Sequence, residues 1–257
     1  MGRAAGSQDD AAGSLRLSSH DICRRVDDHE AGRSAHEPGR IRAPLYCAFV
    51  KRPVPRATVQ RLPLYLRLLD EREGQAGTSS DELAALAGVN AAKVRKDLSY
   101  LGTYGTRGVG YDVEQLRFEI RRALGLAGGW RLAIVGVGNL GSALANYDGF
   151  REGGFGVAGL FDADPDKVGG DIAGLTVEPL DRLEEAVVER NIDIGVVAVP
   201  AGSAQAVTER LTACGIRSIL NFAPTVVQVP EGVEVRRVDL STELQVLGYH
   251  LHLLSGV

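Results

Sequence analysis

The 257-residue sequence predicts an α/β protein in which a winged helix-turn-helix domain precedes a doubly wound parallel sheet and a C-terminal helix. Helical segments followed by four glycines within ten residues indicate the first domain. Apolar strands that alternate with helices from Trp130 onward indicate the second domain. A last apolar segment, residues 242–254, is predicted to be a helix that follows the sheet.

Composition divides the chain into a tail and two domains. Residues 1–53 are expected to be a disordered tail, because they are rich in Gly, Ser, Asp, Arg and Ala and lack a periodicity that could bury a core. Residues 54–128 are expected to form the winged-helix domain with a linker helix. Residues 129–257 are expected to hold the doubly wound domain and the last helix.

Several classes of protein are excluded by the sequence. Its apolar runs are far shorter than the roughly 18 residues of a membrane span, and the N-terminus has no apolar core of signal-peptide type. The cysteines, Cys23, Cys47 and Cys214, are too scattered for a disulfide framework or a zinc site. We therefore expect a cytoplasmic protein with no bound metal and no membrane partner.

The net charge of −4 is unevenly distributed. Residues 51–128 carry 13 Lys and Arg against 9 Asp and Glu, whereas residues 129–257 carry 9 against 17. The middle segment therefore has a net charge of +4 and the last segment one of −8. Any contact with the phosphate backbone of a nucleic acid is expected in the middle segment.

The first domain begins with an amphipathic helix. Its apolar face is predicted from residues at three- and four-residue spacing: Val59, Leu62, Leu66 and Leu69. Pro63 falls inside this pattern, so the helix is expected to kink there or to start later. A capping box that starts at Ser79 opens a second helix, which ends at Gly88. Asn90 caps a third helix, which runs to about Leu101.

The glycine-rich residues 102–111 predict a tight β-hairpin, and Asp112 then caps the linker helix. Three helices and a hairpin in this order are typical of a winged helix-turn-helix, whose third helix enters the major groove of DNA. The residues predicted to contact DNA lie on the exposed side of that helix and at the hairpin tip: Lys93, Arg95, Lys96, Ser99 and Arg107. The alternative is a solvated basic helix, and the adjoining hairpin favours the DNA-binding interpretation.

The second domain opens on the pattern G-x-G-x-x-G, which follows an apolar strand at residues 131–135 and begins a helix. Its residues are predicted to bind the pyrophosphate of a dinucleotide: Gly136, Val137, Gly138, Asn139, Leu140 and Gly141. Gly136 permits the tight turn, Gly138 the approach of the pyrophosphate, and Gly141 the packing of helix on strand. With further strands at residues 156–161, 194–199, 218–221 and 233–238, this pattern predicts a Rossmann domain.

Asp162 follows the second predicted strand of this domain, 21 residues after Gly141. A carboxylate at this place accepts hydrogen bonds from the adenosine ribose hydroxyls and repels a 2′-phosphate. NADH and NAD⁺ are therefore the expected ligands, rather than their phosphorylated counterparts. The alternative is that residues 162–165 form only a turn, and the spacing from the glycine pattern favours the cofactor interpretation.

The Rossmann domain offers little acid–base chemistry, so we expect no catalytic residue and no enzyme. Hydride transfer to a carbonyl usually needs a protonatable partner near the nicotinamide. The domain's only lysine, Lys167, lies beside the predicted adenosine end, and its histidines, His250 and His252, lie in the last helix. Tyr147 remains, without a domain that could bind a substrate. An NAD-dependent dehydrogenase with a helical appendage stays the alternative function, and a CoA-binding Rossmann protein is a third.

Five segments together resemble the Rex family of bacterial redox-sensing transcriptional repressors. They are VRKDLSY at residues 94–100, YGTRGVGY at 104–111, the glycine pattern, FDADP at 161–165 and NFAP at 221–224. The resemblance covers about residues 54–254, joins two unrelated motifs in a fixed order, and leaves out residues 1–50. It implies a repressor that senses the NADH/NAD⁺ ratio: NADH closes the dimer and releases DNA, whereas NAD⁺ competes without releasing it.

The resemblance also implies a homodimer on a palindromic operator, with the C-terminal helix exchanged between subunits. The DNA contacts that it implies are Arg95, Lys96 and Arg107. Tyr147 then lies beside the nicotinamide, and Pro200 and Asn221 are further predicted cofactor contacts.

A switch between the two states is implied to involve Arg67, Tyr147 and Asp239. The hypothesis is that Asp239 pairs with Arg67 in the DNA-binding state and with Tyr147 when neutral NADH is bound. The alternative is that Arg67 is a solvated helix residue and Asp239 a strand-end cap. From the residues alone, that alternative is the favoured one.

Overall fold

The computed structural model describes residues 54–102, 105–106 and 110–254. These residues fall into two compact units: residues 54–132 with 142–158, and residues 133–141 with 159–254. The predicted tail, residues 1–53, lies outside the described residues, as does the tip of the predicted hairpin. The domain boundary at residue 129 stays a prediction.

Helix α1 spans Arg56–Asp70 and contains Pro63 on its exposed side, so the expectation of a late start is wrong. The residues that it buries are Thr58, Leu62, Tyr65, Leu66 and Leu69. The predicted apolar face is therefore correct at three positions, but Val59 is exposed. The two hydroxyl-bearing residues are buried because both donate hydrogen bonds to Asp97, a buried carboxylate on the third helix.

The helix-turn-helix consists of α2, Ser80–Ala87, and α3, Ala91–Ser99. The predicted capping box at Ser79 is present in full. Gly88 ends α2 with a φ of 64°, a left-handed conformation that favours glycine. The side chain of Asn90 caps α3, as predicted, and α3 ends two residues earlier than expected.

The predicted hairpin is confirmed in the residues that the structure describes. Strand β1, Gly77–Thr78, pairs antiparallel with β2, Tyr111–Asp112, and Thr106 forms an antiparallel bridge with Gly110. Gly110 has a φ of 94°, and a β-carbon there would lie 2.5 Å from the carbonyl oxygen of Thr78. Only glycine therefore fits where the hairpin crosses β1.

The linker helix α4, Val113–Ala123, begins at the predicted cap Asp112. Arg117 of α4 donates from Nε to Asp70 Oδ1 at 2.8 Å and so joins α4 to the end of α1. The buried apolar core of this unit comes from all four helices: Leu62, Tyr65, Leu66, Leu69, Leu83, Ala84, Val94, Leu98, Val113, Leu116 and Ile120.

The main sheet has the strand order β5-β6-β4-β3-β7-β8-β9. Its strands are β3 Trp130–Val135, β4 Phe155–Asp162, β5 Asp171–Ile172, β6 Leu175–Pro179, β7 Ile194–Val197, β8 Ser218–Asn221 and β9 Glu234–Arg237. Pairs β4–β6, β7–β8 and β8–β9 are parallel, and β5 adds antiparallel to β6. Without β5 this is the strand order of a Rossmann sheet, so the predicted fold class is confirmed.

Short helices connect these strands: α5 Asn139–Ala145, α6 Asp148–Glu152, α7 Leu183–Glu189 and α8 Ala201–Ala213. The five predicted strands are found within two residues of their expected bounds. Strands β5 and β6 were not predicted. They are joined by Ala173 and Gly174, which both have positive φ values, 55° and 75°, as in a type I′ turn.

The C-terminal helix α9 spans Leu240–Leu254, two residues longer than predicted, and none of the residues described in it is buried. Its exposed apolar side chains are Leu240, Leu244, Val246, Leu247, Tyr249, Leu251, Leu253 and Leu254. No helix in the described part of the chain is long and apolar enough to cross a membrane.

Candidate dinucleotide site and nucleic-acid interface

The glycine turn after β3 has a different steric requirement at each glycine. Gly136 has a φ of 95°, and a β-carbon there would lie 2.6 Å from the carbonyl oxygen of Ala198. A β-carbon at Gly141 would lie 1.9 Å from the carbonyl oxygen of Gly136. Apart from its two chain neighbours, Gly138 has no described atom within 4 Å of a β-carbon position. The fold therefore demands the outer glycines, whereas the middle one borders open space where a phosphate group could approach.

The other residues of the pattern set the entrance to α5. Val137 is buried, whereas Asn139 and Leu140, the first residues of α5, are exposed. The end of β7 adjoins the turn, because the N–H of Ala198 donates to the carbonyl of Val135 at 2.8 Å. The turn thus lies between the carboxyl ends of β3 and β7, where the strand order reverses and doubly wound folds bind their ligands.

Asp162, at the end of β4, holds the glycine turn directly. Its Oδ2 accepts from the N–H of Val137 at 2.7 Å and from Lys167 Nζ at 3.2 Å, and its Oδ1 accepts from the N–H of Asp164 at 2.9 Å. A carboxylate offers about four acceptor positions, so one on Oδ1 is left for a ligand hydroxyl. Burial opposes ionisation, yet these hydrogen bonds hold the pKa of Asp162 below its usual value.

A cavity of about 320 Å³ lies beside Asp162. It is lined by Asp162, Ala163, Pro165, Val168, Pro179, Leu180 and Asp181. Its volume is at the lower end of the range of small-molecule pockets, and its mostly apolar lining suits a flat ring such as adenine. Arg210 supports one wall, because Nη2 donates to the carbonyl of Leu180 at 2.8 Å while Nε pairs with Glu184.

Pro200 lies three residues after β7, and Asn221 is the last residue of β8. Pro200 is exposed and immediately precedes α8. Asn221 is buried, and its amide bonds within its own loop: Nδ2 donates to the carbonyl of Thr225 at 3.0 Å, and Oδ1 accepts from the N–H of Ala223 at 2.9 Å. Its side chain therefore shapes the loop after β8.

Tyr147 precedes α6, and its side chain is largely exposed, with 59% of the residue accessible. Its ring meets Phe150 edge to face, with the centroids 5.4 Å apart. A β-carbon at Gly149 would lie 2.5 Å from the Tyr147 ring, so the glycine makes room for it. The ring is thus held in place while most of its surface stays open.

The described DNA-contact candidates all lie on the exposed side of α3. Lys93, Arg95, Lys96 and Ser99 are exposed, whereas Val94 and Leu98 are buried. The Arg95 guanidinium donates from Nη1 to the hydroxyl of Ser80 at 2.9 Å, which restricts its direction. Arg107 lies outside the described residues.

The structure adds a buried cluster that the sequence did not reveal. Asp97, 1% exposed, accepts hydrogen bonds from three side chains of α1: Thr58 Oγ1 at 2.8 Å, Arg61 Nε and Nη2 at 2.7 Å each, and Tyr65 Oη at 2.9 Å. One signal was available. Asp97 shares the inward face of the third helix with Val94 and Leu98, where a carboxylate needs buried partners.

The predicted switch residues make local contacts. Arg67 pairs with Glu71 at 3.6 Å on the surface of α1, and 82% of its side chain is exposed. Asp239 pairs with Arg237 and accepts from the Ser241 hydroxyl at 2.5 Å. These hydrogen bonds hold the pKa of Asp239 well below its usual value. The contacts fit the alternative of a solvated helix residue and a cap, and the switch itself stays a proposal.

Two family models match the chain. The first, described as the N-terminus of a putative DNA-binding protein, matches residues 53–99. The second, described as a CoA binding domain, matches residues 129–225. The first match covers the helix-turn-helix, and the second covers the glycine turn, Asp162 and most of the sheet.

Curated relatives and solved structures match both units together. The redox-sensing transcriptional repressor Rex of Streptomyces coelicolor is 58% identical over 207 residues, which cover 80% of each chain. The Rex protein of Carboxydothermus hydrogenoformans is 50% identical over 200 residues, which cover 77% of this chain and 96% of the relative. The crystal structure of the Rex-family repressor RSP in complex with β-NAD⁺ and operator DNA matches with a TM-score of 0.75 and 37% identity, over 80% of this chain and 95% of RSP. RSP in complex with β-NADH matches with a TM-score of 0.72 and 36% identity, over 80% of this chain and 97% of RSP. With such identity along both units, this chain belongs to the Rex family of redox-sensing transcriptional repressors.

Proposed function

We propose that this chain is a transcriptional repressor that binds operator DNA through α3 and the hairpin, and NADH or NAD⁺ through the glycine turn and Asp162. The observation that carries the proposal is that both sites occur in one chain of the Rex family. NADH binding releases the protein from DNA, and NAD⁺ competes for the same site without releasing it. The protein thereby represses its target genes when the NADH/NAD⁺ ratio is low.

The preference for the unphosphorylated dinucleotide rests on Asp162. The free acceptor position on its Oδ1 suits a ribose hydroxyl, and the negative charge repels a 2′-phosphate at the same place. Lys167 offsets part of that charge, but it is itself held by Asp162 and, at 3.5 Å, by Asp164. A 2′-phosphate would therefore meet two carboxylates for one ammonium group.

The working form is a homodimer on a palindromic operator. A 15-residue helix with eight exposed large apolar side chains needs a covering surface, and none of the residues described in α9 is buried. Exchange of α9 between two copies buries this surface and joins the subunits. Two recognition helices related by a two-fold axis then face the two half-sites of a palindrome.

Hydride-transfer catalysis is not part of this function. The relatives compared above are named as transcriptional repressors, not as enzymes. Purified protein should accordingly show no steady oxidation of NADH with simple 2-oxo acids or aldehydes. A repressor acts where the chromosome is, so we place the protein in the cytoplasm.

The test measures how an added nucleotide changes the binding of the protein to DNA. A duplex is first selected from random-sequence DNA by the purified protein, and its retention is then measured with NADH, NAD⁺, NADPH or coenzyme A. Release by NADH, occupancy by NAD⁺ without release, and no effect of the other two support the proposal. Release by coenzyme A, or failure to enrich any palindromic sequence, contradicts it.

A further inference from the structure

The recognition helix α3 is attached to α1 by two kinds of contact. Val94 and Leu98 pack into the core, and such apolar contacts have no preferred direction. Asp97 is different, because its carboxylate accepts four hydrogen bonds from side chains of α1. Hydrogen bonds weaken steeply when their angles change, so these four fix how α3 is rotated about its own axis.

The rotation of α3 decides what its exposed side can reach. Asp97 immediately follows Lys96, about 100° further around the helix axis, so Asp97 is buried against α1 while Lys96 is exposed. On a helix about 6 Å in radius, a rotation of about 20° moves a side-chain tip by about 2 Å. That shift is large enough to break a hydrogen bond to a base edge, which must lie within about 3.2 Å.

Buried ion pairs in general add little net stability, so stability alone does not account for the one at Asp97. Taking a carboxylate and a guanidinium out of water costs free energy that their attraction only partly returns, and apolar pairs of similar volume often serve stability as well. Burial and the hydrogen bond to Asp97 raise the pKa of Tyr65 to about 12, whereas the pKa of Asp97 is lowered. Tyr65 therefore stays a donor and Asp97 an acceptor over the whole physiological pH range. The hydrogen bonds of the cluster fix the orientation of α3, which an apolar pair would not do.

We propose that Asp97 is a positioning residue for operator recognition: it clamps α3 to Arg61, Tyr65 and Thr58 of α1 and thereby aims the DNA-contacting side of α3. The inference rests on the proposed function. Its specific consequence is that loss of the clamp weakens binding to the selected operator more than binding to unrelated DNA. Contacts to phosphates tolerate small rotations, whereas bidentate contacts to bases do not.

The experiment compares the full-length parent with Asp97→Asn and with the double variant Arg61→Met/Asp97→Leu. Affinities for the selected operator and for a scrambled duplex give a specificity ratio, and NADH titration and thermal unfolding are measured on each protein. Asp97→Asn keeps the shape of the side chain but removes its charge. The double variant replaces the ion pair by an apolar pair. It therefore separates an effect on the orientation of α3 from an effect on thermal stability.

Glu119→Gln is the matched control. Glu119 is a buried carboxylate of the same unit, paired at 2.7 Å with Arg122 on α4, not on α3. Its loss costs a similar kind of ion pair without touching the recognition helix. Tyr65→Phe and Thr58→Val each remove one hydrogen bond of the clamp, and they test it if Asp97→Asn does not fold.

We expect Asp97→Asn to lower the specificity ratio by about tenfold or more and to change NADH affinity by less than about twofold. The double variant should recover thermal stability but not the ratio, Glu119→Gln should keep the ratio, and each single-bond variant should lower it by about threefold. The proposed clamp is wrong if the parent prefers its operator and the clamp variants have the same specificity ratio as the parent. It is also wrong if the double variant regains the specificity ratio along with thermal stability. If the parent itself shows no operator preference, the proposed function fails first.

Discussion

Asp162 and Val137 are 25 residues apart in the chain and joined by one buried hydrogen bond of 2.7 Å, from the backbone N–H of Val137 to Asp162 Oδ2. The bond ties the end of β4 to the middle of the glycine turn. One carboxylate therefore shapes the glycine turn, and in the proposed binding mode it also presents the acceptor for the adenosine ribose. Changes at this residue should affect affinity and specificity together.

We expect Asp162→Ala to weaken NADH binding and to narrow the gap between NADH and NADPH. The N–H of Val137 loses its acceptor, which loosens the turn for both ligands, whereas the charge that repels a 2′-phosphate is lost for NADPH alone. Fluorescence titration of the reduced cofactors measures both affinities. Asp166→Ala, which removes a nearby carboxylate on the same loop, is the control. Equal binding of NADH and NADPH to the parent would contradict the assignment.

Substitutions in the glycine turn should separate effects on the stability of the fold from effects on ligand binding. Gly138→Ala places a methyl group in open space, so the melting temperature should stay close to that of the parent while NADH affinity falls by about tenfold or more. Gly141→Ala forces a methyl group to 1.9 Å from the Gly136 carbonyl oxygen, so it should destabilise the fold as well. Calorimetry with and without NADH distinguishes the two effects. Full NADH affinity in Gly138→Ala would show that the pyrophosphate does not approach this glycine.

The apolar surface of α9 predicts that subunit association depends on it. In Leu244→Asp/Leu251→Asp, two charges replace exposed apolar side chains two turns apart on one side of the helix. Sedimentation should show monomers, and operator affinity should fall by about a hundredfold or more because the two half-sites are no longer bound together. Glu243→Gln, at a polar position of the same helix, should stay dimeric. A dimeric double variant with normal operator affinity would place the subunit contact elsewhere.

We expect α3 and the hairpin to contact different parts of the DNA. Lys96→Ala should weaken operator binding by about 1–3 kcal/mol if Lys96 reads a base. Arg107→Ala should weaken specific and unspecific DNA binding alike if Arg107 meets the backbone, and it should reduce the dependence on salt. Binding is measured over a range of salt concentrations, with Arg236→Ala on β9 as the control. If both variants bind the operator as the parent does, the winged-helix assignment is wrong.

Local signals predicted most of the fold and the backbone of the candidate dinucleotide site. The capping box at Ser79, the glycine pattern and Asp162 each act within a few residues or at a fixed spacing, and the structure has them as expected. The clamp at Asp97 escaped prediction, because its partners lie 32 to 39 residues away and only folding brings them together. Strands β5 and β6 were missed because Ala173, rather than the usual Asn or Gly, opens their turn.

The step from cofactor binding to DNA release must start at the nicotinamide ring. NAD⁺ and NADH differ at a nicotinamide ring that is cationic in one and neutral in the other, and a ligand shifts an equilibrium only by its difference in affinity for the two states. Tyr147 is the proposed sensor. Its exposed phenol is held edge to face by Phe150, so its hydroxyl can change partners while the ring stays in place.

Asp239 is the proposed partner of Tyr147, and its carboxylate is ionised. Arg237 and Ser241 stabilise the ionised form, so the pKa of Asp239 lies well below its usual value and the carboxylate stays charged at physiological pH. Arg67, the partner proposed for the DNA-binding state, forms an exposed pair with Glu71. Such a surface pair contributes about 0.3–0.5 kcal/mol, so Arg67 can exchange it at little cost.

Tyr147→Phe removes one hydroxyl and keeps the ring contact, and Asp239→Ala removes the carboxylate. Both variants should bind operator in the absence of NADH but need several-fold more NADH to release it, since coupling between two sites typically amounts to about 1–3 kcal/mol. Operator binding at increasing NADH concentrations measures the response, and direct NADH titration separates lost coupling from lost affinity. Tyr249→Phe controls for the loss of a tyrosine hydroxyl. If both variants release operator at the NADH concentration that the parent needs, Asp239 serves only as the cap of α9, and the redox signal reaches α3 by another route.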